Sequence, residues 1–181
     1  DRVFFDVQAL TGPTPTWRLI DPYGNLVFGP SSMTDVDVTT LAATGSYTLL
    51  VEGSISSTTV ANYTVNVQKV TDDQTLLVLN TTTSGAIDHV GQRDLYTFAL
   101  TQNSLLYFDA LTNDSRLTWS LVGPRGVEVT GRSFTNSDAF NISGPAVLAL
   151  PAGNYTLVID VSGDVTGPYS FRLSDLGAVT A

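Results

Sequence analysis

The stretch WRLIDPYG, residues 17–24, decides how the chain is read, because a near copy, WSLVGPRG, stands at residues 119–126. Trp17 and Trp119, Pro22 and Pro124, Gly24 and Gly126, Val27 and Val129, and Gly29 and Gly131 are all separated by 102 residues. Five coincidences at one shift mark an internal repeat rather than a shared composition. Trp17 and Leu19 lie two residues apart, so in a strand they share a face, which suits a large apolar anchor packing across a sandwich. Asp21-Pro22-Tyr23-Gly24 then puts Asp, Pro and Gly at the first, second and fourth places of a type I turn, and GPRG fits the same turn.

The repeat extends outward from this centre. FFDV at 4–7 matches YFDA at 107–110, GSYTLLVEG at 45–53 matches GNYTLVIDV at 153–161, and NYTVNV at 62–67 matches PYSFRL at 168–173. The shift grows from 102 to 108 residues on the way, which places a six-residue insertion in the second copy before Gly153. The matched segments, with LYTFAL and LLYFDAL, are short and rich in Thr, Val, Tyr and Phe, and Gly, Pro, Asn or Asp separates them. That pattern predicts strands throughout. VDVTTLAATG comes nearest to a helical period, and its Thr and Val content opposes it. The expected fold is all-β, two tandem jelly-roll-like antiparallel β-sandwich modules. The boundaries predicted are 1–70 for the first module, 71–75 for a linker, 76–176 for the second module and 177–181 for the start of a following linker.

The two copies differ at their beginnings. SGAIDHVGQRDLYTFALTQNS, residues 84–104, precedes the YFD strand of the second copy and predicts two strands, whereas only Asp1, Arg2 and Val3 precede the FFD of the first. The first module is therefore expected to lack its opening hairpin within this chain. A sandwich without those strands exposes a backbone edge and a strip of core, to be completed by strands from upstream sequence or from a neighbouring subunit.

Composition narrows the partners. Of 181 residues, 17 are Asp or Glu against 8 Lys or Arg, a formal net charge of -9, which repels a phosphate backbone and argues against nucleic acid. No apolar run approaches the roughly 18 residues of a membrane span, so membrane insertion is not expected. With no cysteine there is neither a disulfide framework nor a thiolate metal site.

Candidate chemistry is sparse. The single histidine, His89, lies in IDHVGQRD without a nucleophile-elbow motif, and no Walker loop, H-E-x-x-H or G-x-G-x-x-G occurs. The reading is of a chain that is not an enzyme. Two groups of residues are singled out nevertheless. Calcium takes short carboxylates and amide oxygens in loops, which points to Asp72 and Asp73 in the predicted linker and to Asn113 and Asp114 in LTNDS. Strand alternation, with Phe5 and Phe108 facing the core, turns Phe4, Asp6, Tyr107 and Asp109 outward as a repeated aromatic-plus-aspartate pair able to stack on a sugar or a protein strand.

The order GQRDLYTFAL, LLYFDAL, TWSLVGPRG, LPAGNYTLVIDV, PYSFRL resembles the bacterial pre-peptidase C-terminal domain, over residues 76–176 in full and 3–70 in part. The resemblance implies a small jelly-roll-like sandwich, secreted or held at the cell surface. In tandem it implies a non-catalytic structural or adhesive repeat whose partners are neighbouring modules or subunits. The alternative it implies is an accessory module of a secreted hydrolase that binds a polysaccharide or protein polymer.

Overall fold

The computed structural model describes residues 1–137 and 141–178, which divide into two compact units, Asp1–Val70 and a second beginning at Thr71. The first unit holds β1 (Arg2–Thr11), β2 (Thr16–Ile20), β3 (Leu26–Ser32), β4 (Val36–Thr40), β5 (Thr48–Glu52) and β6 (Asn62–Lys69). They form two three-stranded antiparallel sheets, ordered β4-β1-β6 and β3-β2-β5. Of VDVTTLAATG, the segment nearest to a helical pattern, Val36–Thr40 form the strand β4, in line with their β-branched residues, and residues 41–45 form a loop.

The second unit holds β7 (Asp73–Leu76), β8 (Thr82–Ile87), β9 (Asp94–Leu100), β10 (Ser104–Ala110), β11 (Leu117–Gly123), β12 (Gly126–Ser133), a 3-10 turn at Phe134–Asn136, β13 (Val147–Leu150), β14 (Gly153–Val161) and β15 (Gly167–Ala178). Its sheets run β13-β10-β15-β8 and β12-β11-β14-β9-β7. All pairings are antiparallel except β7 with β9, which is parallel. Two expectations are corrected here. The predicted linker 71–75 contributes β7, because the Asp73 N–H donates to the Arg93 carbonyl at 3.2 Å and Asp73 sits across from Asp94. The predicted following linker begins inside β15, which runs to Ala178; residues 179–181 lie outside the described residues.

Strands β1 to β6 correspond one for one to β10 to β15, and the pairing registers repeat. Phe5 faces Val67 as Phe108 faces Leu173, and Trp17 faces Val51 as Trp119 faces Ile159. The repeated turn also has a repeated lock. Gly24 donates its N–H to the Asp21 carbonyl at 3.1 Å, closing the predicted turn, and Pro22 then packs on Gly45, where an added Cβ would lie 2.7 Å from the ring. Pro124 packs on Gly153 in the same way, more tightly still. Two residues beyond each glycine a tyrosine reaches back four residues, Tyr47 to the Ala43 carbonyl at 3.0 Å and Tyr155 to the Pro151 carbonyl at 2.7 Å. The shared letters of the repeat are thus the parts of a clamp that fastens the β2–β3 or β11–β12 turn to the strand beside it.

The cores are unequal. Among the described residues, twenty buried apolar ones form the second cluster, around Trp119 and Phe171, with Phe108 stacked between them at ring separations of 4.2 and 5.1 Å. Only five form the first, around Trp17 and Phe5. Since burial of apolar area is the main stabilising term, the second unit is the one equipped to fold independently.

Replacing Gly153 by Ala drives a methyl group into Pro124 and should destabilise the second unit by about 1–3 kcal/mol. Gly126→Ala meets no atom within 4 Å and carries only the strain of its positive φ, about 1 kcal/mol. Urea unfolding followed by Trp119 fluorescence orders the two, with a larger loss at Gly126 contradicting the clamp.

Candidate functional site

The exposed face of the first unit follows from what it lacks. Among the described residues strands β7, β8 and β9 have no counterparts there, and β5 pairs only with β2 and β6 only with β1. In the second unit the equivalents of β5 and β6 are flanked on their other sides, β14 by β9 and β15 by β8. Sequence alone predicted a missing hairpin; the structure shows three strands to be without equivalents, because β7 extends the sheet beyond β9. The consequence is measurable side by side. Tyr169 and Leu173 are 3% and 1% exposed, whereas their counterparts Tyr63 and Val67 are 47% and 51% exposed. A second difference is independent of those strands: Trp17 is buried with its Nε1–H unpartnered among the described residues, while Trp119 Nε1–H donates to Ser137 Oγ, just after the 3-10 turn, at 2.8 Å. A buried donor left unpaired costs about 1–3 kcal/mol.

The residues proposed as ligand contacts separate. Phe4 and Asp6 were expected to point outward, but both are buried, since β1 is the central strand of its sheet and is covered on both faces from Val3 to Asp6. Tyr107 and Asp109 are half-buried on β10, and Asp109 accepts a hydrogen bond from the Arg172 guanidinium on β15 at 2.8 Å. Of the four, Tyr107 and Asp109 are thus the two that keep partial exposure.

Of the residues proposed for calcium, Asp114 and Asp72 have hydrogen-bond partners of their own. Both oxygens of Asp114 accept from the Arg116 guanidinium, at 2.9 and 2.7 Å, and this partner holds the carboxyl at about 2, below the usual carboxylate range. Asp72 accepts the Arg93 backbone N–H at 3.2 Å, and Asp73 belongs to β7. Asn113 is exposed. Among the described residues, none of these aspartates belongs to a cluster of three or more carboxylate or imidazole ligand atoms. His89 Nε2 accepts the Thr71 N–H at 3.3 Å, a contact that fixes its ring at the start of the second unit.

A buried polar network is the feature that residue-by-residue reading missed. Asp94 at the head of β9 accepts from Gln92 Nε2 at 2.7 Å and from the Tyr169 hydroxyl, which meets the Tyr96 hydroxyl at 2.8 Å. Gly85 on β8 lies over the two hydroxyls, where a Cβ would stand 2.5 Å from Tyr169 Oη. The signal was present in GQRDLYTFAL: Asp94 is in phase with Tyr96, Phe98 and Leu100, the inward positions of its strand. Burial raises the Asp94 carboxyl, opposed by its two hydrogen bonds and assisted by Asp73 and Asp88 nearby. Burial likewise raises the Tyr169 and Tyr96 hydroxyls, so both remain protonated donors. A cleft of about 250 Å³ adjoins the network, lined by Asp73, Ser84, Gly85, Asp88, Asp94 and Tyr96.

These features define a tandem pair of antiparallel β-sandwich units, one closed and one open along β5 and β6. No protein-family model and no curated protein matches the chain. Among solved structures it is similar to the pre-peptidase C-terminal domain of collagenase from Bacillus anthracis, with a TM-score of 0.42 and 17% identity over 60% of this chain and 100% of that one. It is similar also to PliG, a periplasmic lysozyme inhibitor of g-type lysozyme, from Salmonella Typhimurium, with a TM-score of 0.44 and 16% identity over 57% of this chain and 98% of that one. PliG from Aeromonas hydrophila gives a TM-score of 0.42 and 12% identity over 59% and 99%.

The raised carboxyl of Asp94 sets a direction for stability against pH. Its folded pKa lies above its unfolded value near 3.9, so the contribution is complete below about pH 4 and is lost as pH rises through the folded value. Asp94→Asn should remove this fall in stability across the mildly acidic range. Urea unfolding of the second unit at a series of pH values checks it, and an unchanged slope would contradict the assignment.

Proposed function

We propose that this chain is a non-catalytic extracellular repeat, with a structural or adhesive role in a larger secreted or cell-surface assembly. The observation that carries the reading is the recurrence of one fold, in one pairing register and with one turn clamp, in two successive units. Repetition of a module multiplies length and surface without adding a reactive centre. The chemistry of the side chains supports it. The polar groups that a catalyst would use are engaged in architecture: Asp94 with Tyr169 and Gln92, Asp114 with Arg116, Asp109 with Arg172, and Arg93 with Asp160 at 2.7 Å. The absence of cysteine and the acidic surface suit a protein that works outside the cell without a redox-sensitive link. No helix among the described residues is long and apolar enough to cross a membrane. Neighbouring modules or subunits are the partners this reading assigns. It gives Phe4 no part in binding a polymer, because Phe4 is buried.

The experiment is an assay for turnover with Asp94 as its internal control. The chain is incubated with peptide and polysaccharide substrates alongside Asp94→Asn. Asp94 is the buried carboxyl with the raised pKa and is the position best suited to general acid work. The expected result is no turnover by either protein. Hydrolysis by the parent chain that falls by two orders of magnitude or so in Asp94→Asn would overturn the non-catalytic reading.

A further inference from the structure

We propose that the second unit is a load-bearing module in which β7 is the mechanical clamp, meeting tension along the chain in shear against β9. The inference rests on the reading of the chain as a structural or adhesive repeat, and it goes beyond that reading in naming the work the repeat does and the strand that does it.

Resistance to pulling depends on the direction in which backbone hydrogen bonds are loaded as well as on their number. The bonds of a ladder lie across the strands, so they break one after another when a strand is peeled from its end and must give way together when it slides along its axis. Forced unfolding is governed by a rate, so the sliding arrangement survives longer under the same force. Where the chain enters and leaves the unit decides which arrangement applies.

Tension reaches the second unit at Thr71 and passes on beyond Ala178, the end of β15. Those two points lie at opposite ends of the sandwich. Strand β7 runs parallel to β9, residues 101–103 turn the chain back into β10, and β10 is antiparallel to β15, so β7 and β15 run the same way. The hydrogen bonds agree. At the head of both strands, Asp73 sits across from Asp94, which accepts from the Tyr169 hydroxyl near the start of β15. Past the tail of β7, the Asn80 N–H donates to the Leu173 carbonyl at 2.9 Å and Asn80 Oδ1 accepts the Asp175 N–H at 2.8 Å. From Tyr169 to Ala178 the strand spans about 30 Å at the usual rise per residue. A pull between the two ends is therefore directed along the strands and slides β7 against β9.

The clamp continues on both sides of the strand. Asp73–Leu76 lie in register with Asp94–Thr97, and the N–H groups of Asp73 and Leu77 donate to the Arg93 and Thr97 carbonyls at 3.2 and 2.8 Å. Ahead of the strand, Asp72 accepts the Arg93 N–H at 3.2 Å and the Thr71 N–H donates to His89 Nε2 at 3.3 Å. Behind it, Leu77 is buried in the core cluster, so sliding β7 also draws an apolar side chain out of its seat. The residues that composition marks as a linker are those that carry the load.

The chain has no cysteine, so introduced cysteines place the handles of a force clamp on the full chain. Thr71→Cys with Ala181→Cys pulls along the strands. Gln102→Cys with Ala181→Cys pulls near Ser104 and Ala178, cross-strand partners at one end of β10 and β15, and peels those strands apart. At a common force the second unit is expected to survive at least about tenfold longer in the first geometry than in the second. Equal or shorter survival overturns the proposal. Thr75→Pro locates the resistance, because alternation from Asp73 and Leu77 turns the Thr75 N–H to β9 and the Gln74 N–H to the outer edge of the sheet. Thr75→Pro should shorten survival along the strands by about fivefold, the loss of one ladder bond, and Gln74→Pro should leave it unchanged. An equal effect at the two positions overturns the assignment of the clamp to β7. If Thr75→Pro does not fold, the comparison of pulling directions decides alone, since it leaves the ladder untouched. Neither result bears on turnover, so this inference and the non-catalytic reading fall separately.

Discussion

A strand in a β-sandwich is protected on three sides: one neighbour along each backbone edge, and the opposite sheet over its inward side chains. The difference in burial along β5 and β6 against β14 and β15 tracks whether the neighbours on one edge are there. In the second unit β9 pairs with β14 and β8 with β15, and the inward residues of both are sealed around Trp119 and Phe171. In the first unit the same edge ends at β5 and β6. The turn clamp is intact, with Pro22 against Gly45 and Tyr47 bonded to Ala43, but the core it should close over is reduced to five buried apolar residues. Local geometry is thus fully specified in both copies, and the completeness of burial is not.

The buried polar network shows what the additional strands bring besides apolar area. Asp94, Tyr96 and Gln92 belong to β9 and the turn before it, Gly85 to β8, and Tyr169 to β15, so the network exists only where the hairpin has been added. A buried carboxylate is destabilising unless its lone pairs are satisfied, and here two donors converge on it. The arrangement fixes the hairpin's register as well as its presence, because a one-residue slip would turn Asp94 and Tyr96 to the other face.

Much of this was legible in the sequence, and the reasons are specific. The constant spacing of Trp, Pro and Gly in WRLIDPYG and WSLVGPRG exposed the repeat, and period-two alternation placed Trp17, Leu19, Phe5 and Phe108 inward. The same alternation misled at Phe4 and Asp6, because it says which residues share a face and not whether that face meets water. Strand β7 was read as a linker because DQTL is short and polar and pairs in parallel, without a turn to announce it. At Asp114 the limit is different: it lies two residues from Arg116, and spacing cannot tell a cation ligand from half of an ion pair.

The two tryptophans, one per unit, give the most direct measurement. Trp119→Phe leaves Trp17 to report the first unit, and Trp17→Phe leaves Trp119 to report the second. Followed by urea, the account predicts two transitions: an early, shallow one seen by Trp17, shallow because little buried surface remains to expose, and a later, steeper one seen by Trp119. A single transition shared by both reporters, or a first unit that outlasts the second, would contradict the claim that the first sandwich is open.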